Sequence, residues 1–306
     1  MAKYLVKRVA IGLVTIVILM TLTFFLMRIM PGSPFASENP LPPQVQAAFE
    51  ARYNMHKPLF EQYLDYMGNA FRGDLGESFK KTGVTINSMI AAGAPVTIRL
   101  GGAAFIVAMI VGIFLGITSA LSKSKLLNGF VQVISTLGVS LPSFIVALLL
   151  MIVFGVWKRW LPFVGLSTPK HYILPAVALA LYPIAYISKL VRSSLSEVMR
   201  LDYIRMAKAK GLSKPEIILK HALKNAMLPV VTYTGPLIAF LMTGSFVVET
   251  IFSIPGIGLE FVKSITNRDY AAIMGLTIYM GALIVFCNIV CDFVCALIDP
   301  RVKLDS

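Results

Sequence analysis

Apolar residues dominate six stretches of the chain: 9–30, 96–121, 130–156, 172–190, 228–250 and 271–298. A helix that crosses the hydrocarbon layer of a bilayer needs about 20 mainly apolar residues. Each stretch therefore predicts a membrane span. Pro142, Pro175, Pro183 and Pro236 fall within or near the ends of spans and predict bends, and neighbouring helices can satisfy the carbonyls that proline frees. Gly112 and Gly116 form a small-residue pair, followed by Ala120, that permits close helix contact.

Two of the connecting segments are long. The first, 31–95, opens with the proline-rich stretches PGSPF and PLPP, which favour turns and extended chain. Within it, 44–51 and Leu59–Phe71 have helical amphipathic spacing, with Phe60, Tyr63, Leu64, Met67 and Phe71 as one apolar stripe. Gly73-Asp74-Leu75-Gly76 then supplies turn chemistry. The second, 191–227, is basic and helix-patterned. Leu201 to Lys210 reads as one helix stopped by Gly211. Ser213 caps a second, with Pro215 in its first turn and Glu216 placed for a capping box. Two short helices of this kind are suited to fill a groove on a soluble partner.

Composition agrees with the spans. Of 306 residues 57% are hydrophobic and 14% charged, against roughly 25% charged in soluble domains. The net charge of +13 would suit nucleic acid, but no basic face carries interleaved stacking aromatics. Lys and Arg instead set the orientation. With the N-terminus inside, sixteen of them fall in cytoplasmic segments and five in the short outer loops. Both termini and the basic segment 191–227 are then cytoplasmic. The basic start followed by an apolar run imitates a secretion signal, but the run is too long and lacks a cleavage site, so it reads as a retained first span.

Polar residues at membrane depth are costly and therefore candidates for function. Arg28 and Arg99 lie near outer helix ends, where a long side chain can snorkel to the interface. Glu249 lies at the outer end of the fifth stretch, where it can face water. Asp292 lies within the sixth, near Asn288, and should face protein or a wet cavity. Cys287, Cys291 and Cys295 share a helical face and read as small packing residues, with no histidine to complete a metal site. No G-x-x-x-x-G-K-[ST] phosphate loop, Ser/His/Asp set or HExxH motif occurs. The chain is not expected to be an enzyme, to hydrolyse ATP itself or to hold a metal or other cofactor.

Ala207-Lys208-Ala209-Lys210-Gly211-Leu212, with His221-Ala222-Leu223-Lys224-Asn225-Ala226 and Leu228-Pro229, resembles the cytoplasmic EAA loop of ABC importer membrane subunits. Arg28-Ile29-Met30-Pro31-Gly32-Ser33-Pro34, Gly73 to Phe79 (GDLGESF), Glu249-Thr250-Ile251-Phe252 with Pro255-Gly256-Ile257-Gly258, Asn267-Arg268-Asp269-Tyr270 and Asp299-Pro300-Arg301 narrow the resemblance. They are similar to B-type subunits of the oligopeptide/dipeptide/nickel permease group. Two positions depart from the general EAA pattern. Arg205 stands where that pattern has Glu, so no Glu-mediated contact is implied, and Gly211 lies farther from Pro229 than usual.

The resemblance implies an all-α integral membrane protein of six spans with the type I ABC importer permease fold. Residues 1–94 would form the first span and outer cap, 95–299 the transmembrane core, and 300–306 a cytoplasmic tail. It implies a bacterial inner-membrane permease subunit that pairs with a homologous second permease. Two cytoplasmic ABC ATPases would bind the ATP, and an extracytoplasmic peptide-binding protein would deliver substrate. Arg205, Ala207, Lys208, Ala209, Lys210, Gly211, Leu212 and His221 would couple to the ATPases, while Arg28, Glu249 and Asp292 would be pathway or structural residues. Within the group, a dipeptide- or nickel-specific permease is the alternative. Outside it, the alternatives are an ion-coupled secondary transporter, which calls for paired intramembrane carboxylates, and a membrane scaffold that recruits a cytoplasmic protein.

Overall fold

The computed structural model describes residues 2–29 and 56–298, with side chains over 6–29 and 56–294. Its elements in chain order are α1 (Ala2–Ile29), α2 (Leu59–Phe71), α3 (Ile86–Leu121), α4 (Lys125–Ser140) and α5 (Ser143–Leu150, which runs on as a π-helical turn, Met151–Trp157). After a 3-10 turn at Pro169–Tyr172 come α6 (Ile173–Val198), α7 (Asp202–Ala209) and α8 (residues 214–226, with a π-helical stretch at Ile217–Ala222). The chain continues through α9 (Leu228–Thr243), α10 (Phe246–Ile251), α11 (Ile257–Thr266) and α12 (Tyr270–Ile298). The expected helix at 44–51, the PGSPF turn region and the closing Asp299-Pro300-Arg301 lie outside the described residues.

Helix α6 is the centre. Of its apolar window 61% is buried, against 33% or less in the other continuous spans. Its inward faces carry Ala176, Ala178, Ala180 and Ala185 among larger Leu, Ile and Val residues, so neighbours approach closely. Helix α3 lies along it most extensively. At Gly116 an added β-carbon would stand 2.6 Å from Val191 Cβ and 2.9 Å from the Ser188 carbonyl; at Gly112, 2.9 Å from Ile187 Cβ. The glycine pair therefore marks the seam between α3 and α6. Gly138 plays the same part for α4, 2.7 Å from Ala185 Cβ.

Among the described residues five helical stretches are long and apolar enough to cross a membrane, and α4 with α5 makes a sixth if the pair is one span. That pair is bent by 110°. Leu141 is extended, the conformation that a following proline favours, and Pro142 opens α5. The other three prolines lie inside continuous helices. The second span starts at Ile86 rather than 96: Thr85 caps it by accepting from the Ser88 amide, and Pro95 is carried inside the helix. The extra turns bury Ile86, Met89 and Ala94, which shortens the expected outer loop. The fourth helix runs eight residues past 190, so the basic segment begins inside α6.

The fifth span is interrupted. Gly244 has φ +97°, a conformation that side chains resist, and Ser245 then caps α10 by accepting from the Val248 amide. Beyond it Pro255-Gly256 turns the chain into α11, a helix not foreseen from the apolar pattern.

On the outer side, α2 packs on α1 through Tyr63, Tyr66 and Met67 around Phe24. The expected stripe is only partly the buried one. Gln62 and Met67 are buried, whereas Phe60, Leu64 and Phe71 are exposed, because α2 lies against the Phe24 side of α1. The GDLGESF and NRDY stretches meet. Ser78 Oγ donates to Asp269 Oδ2, and the amides of Phe79 and Ala272 donate to Asp269 Oδ1 at 3.0 and 3.2 Å. Lys81 pairs with Glu260 on α11 at 2.5 Å.

Gly116→Ala should cost about 2 kcal/mol by overpacking the α3–α6 seam. Gly102→Ala, where nothing lies within 4 Å of an added β-carbon, should be near neutral. Thermal unfolding of the detergent-solubilised chain compares them, and equal melting temperatures would refute the seam assignment.

Candidate functional site

The basic segment folds into a small platform at one end of α3 and α6. Asp202 opens α7 and sits favourably at its N-terminus. Gly211 has φ +80°; its amide donates to the Lys208 carbonyl, and the Leu212 amide reaches the Ala207 carbonyl. The turn predicted at Gly211 is therefore present. Ser213 does occupy the N-cap place of α8, and the Ile217 amide donates to its carbonyl at 3.0 Å. Its side chain caps nothing, so the predicted capping box does not form. Glu216 turns instead to Lys220, 2.8 Å away one turn on. The ammonium holds the Glu216 carboxyl below its ordinary range, first by hydrogen bonding and then by charge, and the carboxylate raises Lys220 in return.

A core of its own holds the platform together. Ile204 and Ala207 of α7 and Ile217, Ala222 and Ala226 of α8 close on Leu195 and Val198 of α6. Ile117, Ala120 and Leu121 of α3 pack against the same cluster. Tyr203 adds a polar tie: its hydroxyl accepts from Asn225 at 2.8 Å and donates to the His221 carbonyl at 3.4 Å. The platform is thus an extension of the two central helices.

Of the residues singled out by sequence, Arg205, Lys208, Ala209, Lys210 and Gly211 are exposed. Leu212 and His221 are half-buried, and Ala207 is buried in the platform core. Arg205 pairs with Asp202 at 3.3 Å. Two exposed apolar residues, Met206 and Leu219, join the surface and were missed. The signal was available in the helix pattern, since Met206 falls off the face that buries Ile204 and Ala207.

The three intramembrane candidates are scattered. Arg28 lies over the Phe24 ring, 5.4 Å from its centroid. Asp292 makes an ion pair with Arg8 of α1 at 3.1 Å, so it faces protein, as expected. Glu249 does not face water. It is 1% exposed and receives hydrogen bonds from Thr97 Oγ1 at 3.0 Å and the Leu259 amide at 3.2 Å. Thr97 Oγ1 in turn accepts from the Ile257 amide at 2.9 Å. Gly244, Gly256 and Gly258 crowd the carboxyl group so closely that a β-carbon at any of them would meet it. The ETIF and PGIG stretches are thus two sides of one buried knot joining α10, α3 and the start of α11.

Sequence reasoning also missed an aromatic cluster at the α4–α5 break. A cavity of about 550 Å³ opens there, lined by Pro142, Tyr182 and Tyr233 among others. Tyr186 lies 4.5 Å from Tyr233 and 6.3 Å from Tyr182, ring centre to ring centre. Among the described residues no group of three His, Cys, Asp or Glu side chains is placed to hold a metal.

Residues 112–304 match the family "Binding-protein-dependent transport system inner membrane component", and residues 1–101 match the N-terminal part of such membrane components. The chain is 43% identical over 305 residues to the oligopeptide transport system permease protein OppB of Haemophilus influenzae, covering 99% of this chain and 100% of that one. It is 44% identical over 304 residues to the dipeptide transport system permease protein DppB of Bacillus subtilis, covering 99% of each. A solved inward-facing structure of the MetNI methionine ABC transporter shares the fold with a TM-score of 0.57 at 13% identity, covering 69% of this chain and 96% of that chain.

Glu249→Ala should lower stability by about 3 kcal/mol, because it leaves the Leu259 amide and Thr97 hydroxyl buried without their partner. Glu249→Gln, which preserves shape and one acceptor, should cost less. Unfolding in detergent followed by tryptophan fluorescence ranks the two, and a Glu249→Ala variant as stable as the wild type would rule out the knot.

Proposed function

The chain belongs to the family of binding-protein-dependent transport system inner membrane components, and we propose that it forms half of the membrane pathway of an ATP-driven peptide importer. Full-length identity above 40% to permeases named for oligopeptide and dipeptide transport carries this reading. The other half would be a homologous permease. Two cytoplasmic ATPases would bind and hydrolyse ATP, and an extracytoplasmic binding protein would bring the peptide. Both termini would lie in the cytoplasm, as the distribution of Lys and Arg favours.

The platform supports a mechanical role. Its outer surface offers Met206 and Leu219 beside Arg205, Lys208 and Lys210, an apolar anchor ringed by cations suited to a cleft on a soluble partner. Its inner surface shares a core with α3 and α6. When ATP binding draws the ATPases together, α7 and α8 would move with the clefts that hold them. Close-packed interiors transmit displacement rather than absorb it, so α3 and α6 would follow and the pathway would change the side on which it opens. Hydrolysis would then restore the first state.

Each exposed candidate has a distinct part. Ala209 and Gly211 would admit a partner closely, and the cations would complement acidic groups. Ala207 and the inner part of Leu212 would instead keep the platform fixed to the central helices, and His221 would lend its carbonyl to Tyr203. Attraction of the same cations to anionic lipid would act alongside docking.

Gly211→Asp should leave membrane insertion intact, because Gly211 is exposed, yet disturb a turn that requires positive φ and bring a charge to the docking surface. In proteoliposomes with the partner permease, ATPases and binding protein, peptide uptake should fall at least tenfold while the ATPases keep their basal hydrolysis. Unchanged uptake together with unchanged ATPase retention would reject the docking surface. Uptake driven by an ion gradient without ATPases would reject the importer reading.

A further inference from the structure

We propose that a cavity between α4 and α6 is an oxyanion site for the C-terminal carboxylate of a peptide in transit, an inference that rests on the import reading above. The cavity holds about 320 Å³ and is lined by Gln132, Ser135 and Thr136 of α4 and Ser188, Lys189 and Arg192 of α6. Ser188 is 1% exposed, and its hydroxyl is buried with no hydrogen-bond partner among the described residues. A buried hydroxyl in that state is costly, and water, an ion or another ligand can satisfy it. Lys189 and Arg192 form no ion pair with any described carboxylate. Two cations and an unused hydroxyl on one cavity wall are the donor set that a carboxylate accepts.

Its position favours peptide over lipid. Tyr182, Tyr186, Lys189 and Arg192 succeed one another at spacings of four, three and three residues, so they share one face of α6. Tyr182 and Tyr186 are 46% and 39% exposed. Among the described residues, the large exposed side chains of α1 and α3 are mainly Ile, Leu, Val and Phe, with no tyrosine among them. The hydroxyl-bearing stripe leads from the tyrosine-lined cavity at the Pro142 break to the cationic one nearer the platform. Peptides of any sequence share a backbone and a terminal carboxylate. A tyrosine stripe ending at paired cations recognises those common groups without reading side chains.

The test uses the assembled transporter in detergent, without the binding protein, and equilibrium dialysis of radiolabelled trialanine as the free acid and as the C-terminal amide. The free acid should bind about tenfold more tightly than the amide, the effect of one charge-assisted contact. K189Q/R192Q should abolish that preference, and S188A should reduce it. K189Q alone, at an exposed position, should do so in part and guards against a folding defect in the double variant. Equal binding of acid and amide, no binding of the acid, or a preference that survives K189Q/R192Q would overturn the proposal. Loss of co-purifying phosphatidylglycerol in K189Q/R192Q with peptide binding unchanged would also overturn it, by assigning the cavity to lipid. Parallel uptake by the complete wild-type system separates the two readings. No import of any peptide rejects the import reading, whereas import with acid and amide bound alike rejects only the carboxylate site.

Discussion

The structure depends on how closely α3 and α6 can approach. Helices in a bilayer gain little from the hydrophobic effect when they associate, since lipid is as apolar as leucine. What remains is van der Waals contact, and Gly112 and Gly116 let the α3 backbone come within reach of Ile187, Val191 and the Ser188 carbonyl. Helix α6 repeats the strategy with its own alanines toward α4 and α5. The platform core draws on the ends of both helices, and the buried Glu249 knot is tied to α3 at Thr97. A displacement of the platform is therefore a displacement of the seam.

The spans were legible because a bilayer imposes a single strong requirement on long apolar runs. Five of the six stretches correspond to helices of about the expected place, and the Gly211 turn was readable because few residues accept its backbone. The misreadings have a common physical origin. Run length says nothing about direction: Pro142 announced a bend but not its 110° size, and the interruption at Gly244 was hidden within apolar sequence. Proline in a membrane helix does not by itself decide the outcome: Pro95, Pro183 and Pro236 are absorbed, while Pro142 follows an extended Leu141.

The site was legible as a segment more than residue by residue. Lys208 and Lys210 are exposed as their charge suggests. Ala207 is indistinguishable from Ala209 in type, yet only the first is buried, because α7 turns that edge toward Leu195 and Val198. Glu249 was left open, as facing water or as a pathway or structural residue, for a related reason. A carboxyl group near a span end is expected in water, and its actual partners, Thr97 and the Leu259 amide, are distant or backbone groups that no local pattern displays. The glycines around it were visible as a motif, but their reason, room for that carboxyl group, is a property of the folded chain.

The contact between the first and last helices has a consequence for how the protein is made. Helix α1 packs chiefly on α12, where Arg8 meets Asp292 and Gly12 lies against Val285. During synthesis the first span enters the bilayer while the 240 residues between Ile29 and Tyr270 still separate it from its main partner. Until then α1 has only lipid or a transient helper protein to cover that face. The ion pair can therefore form only after α12 has been made.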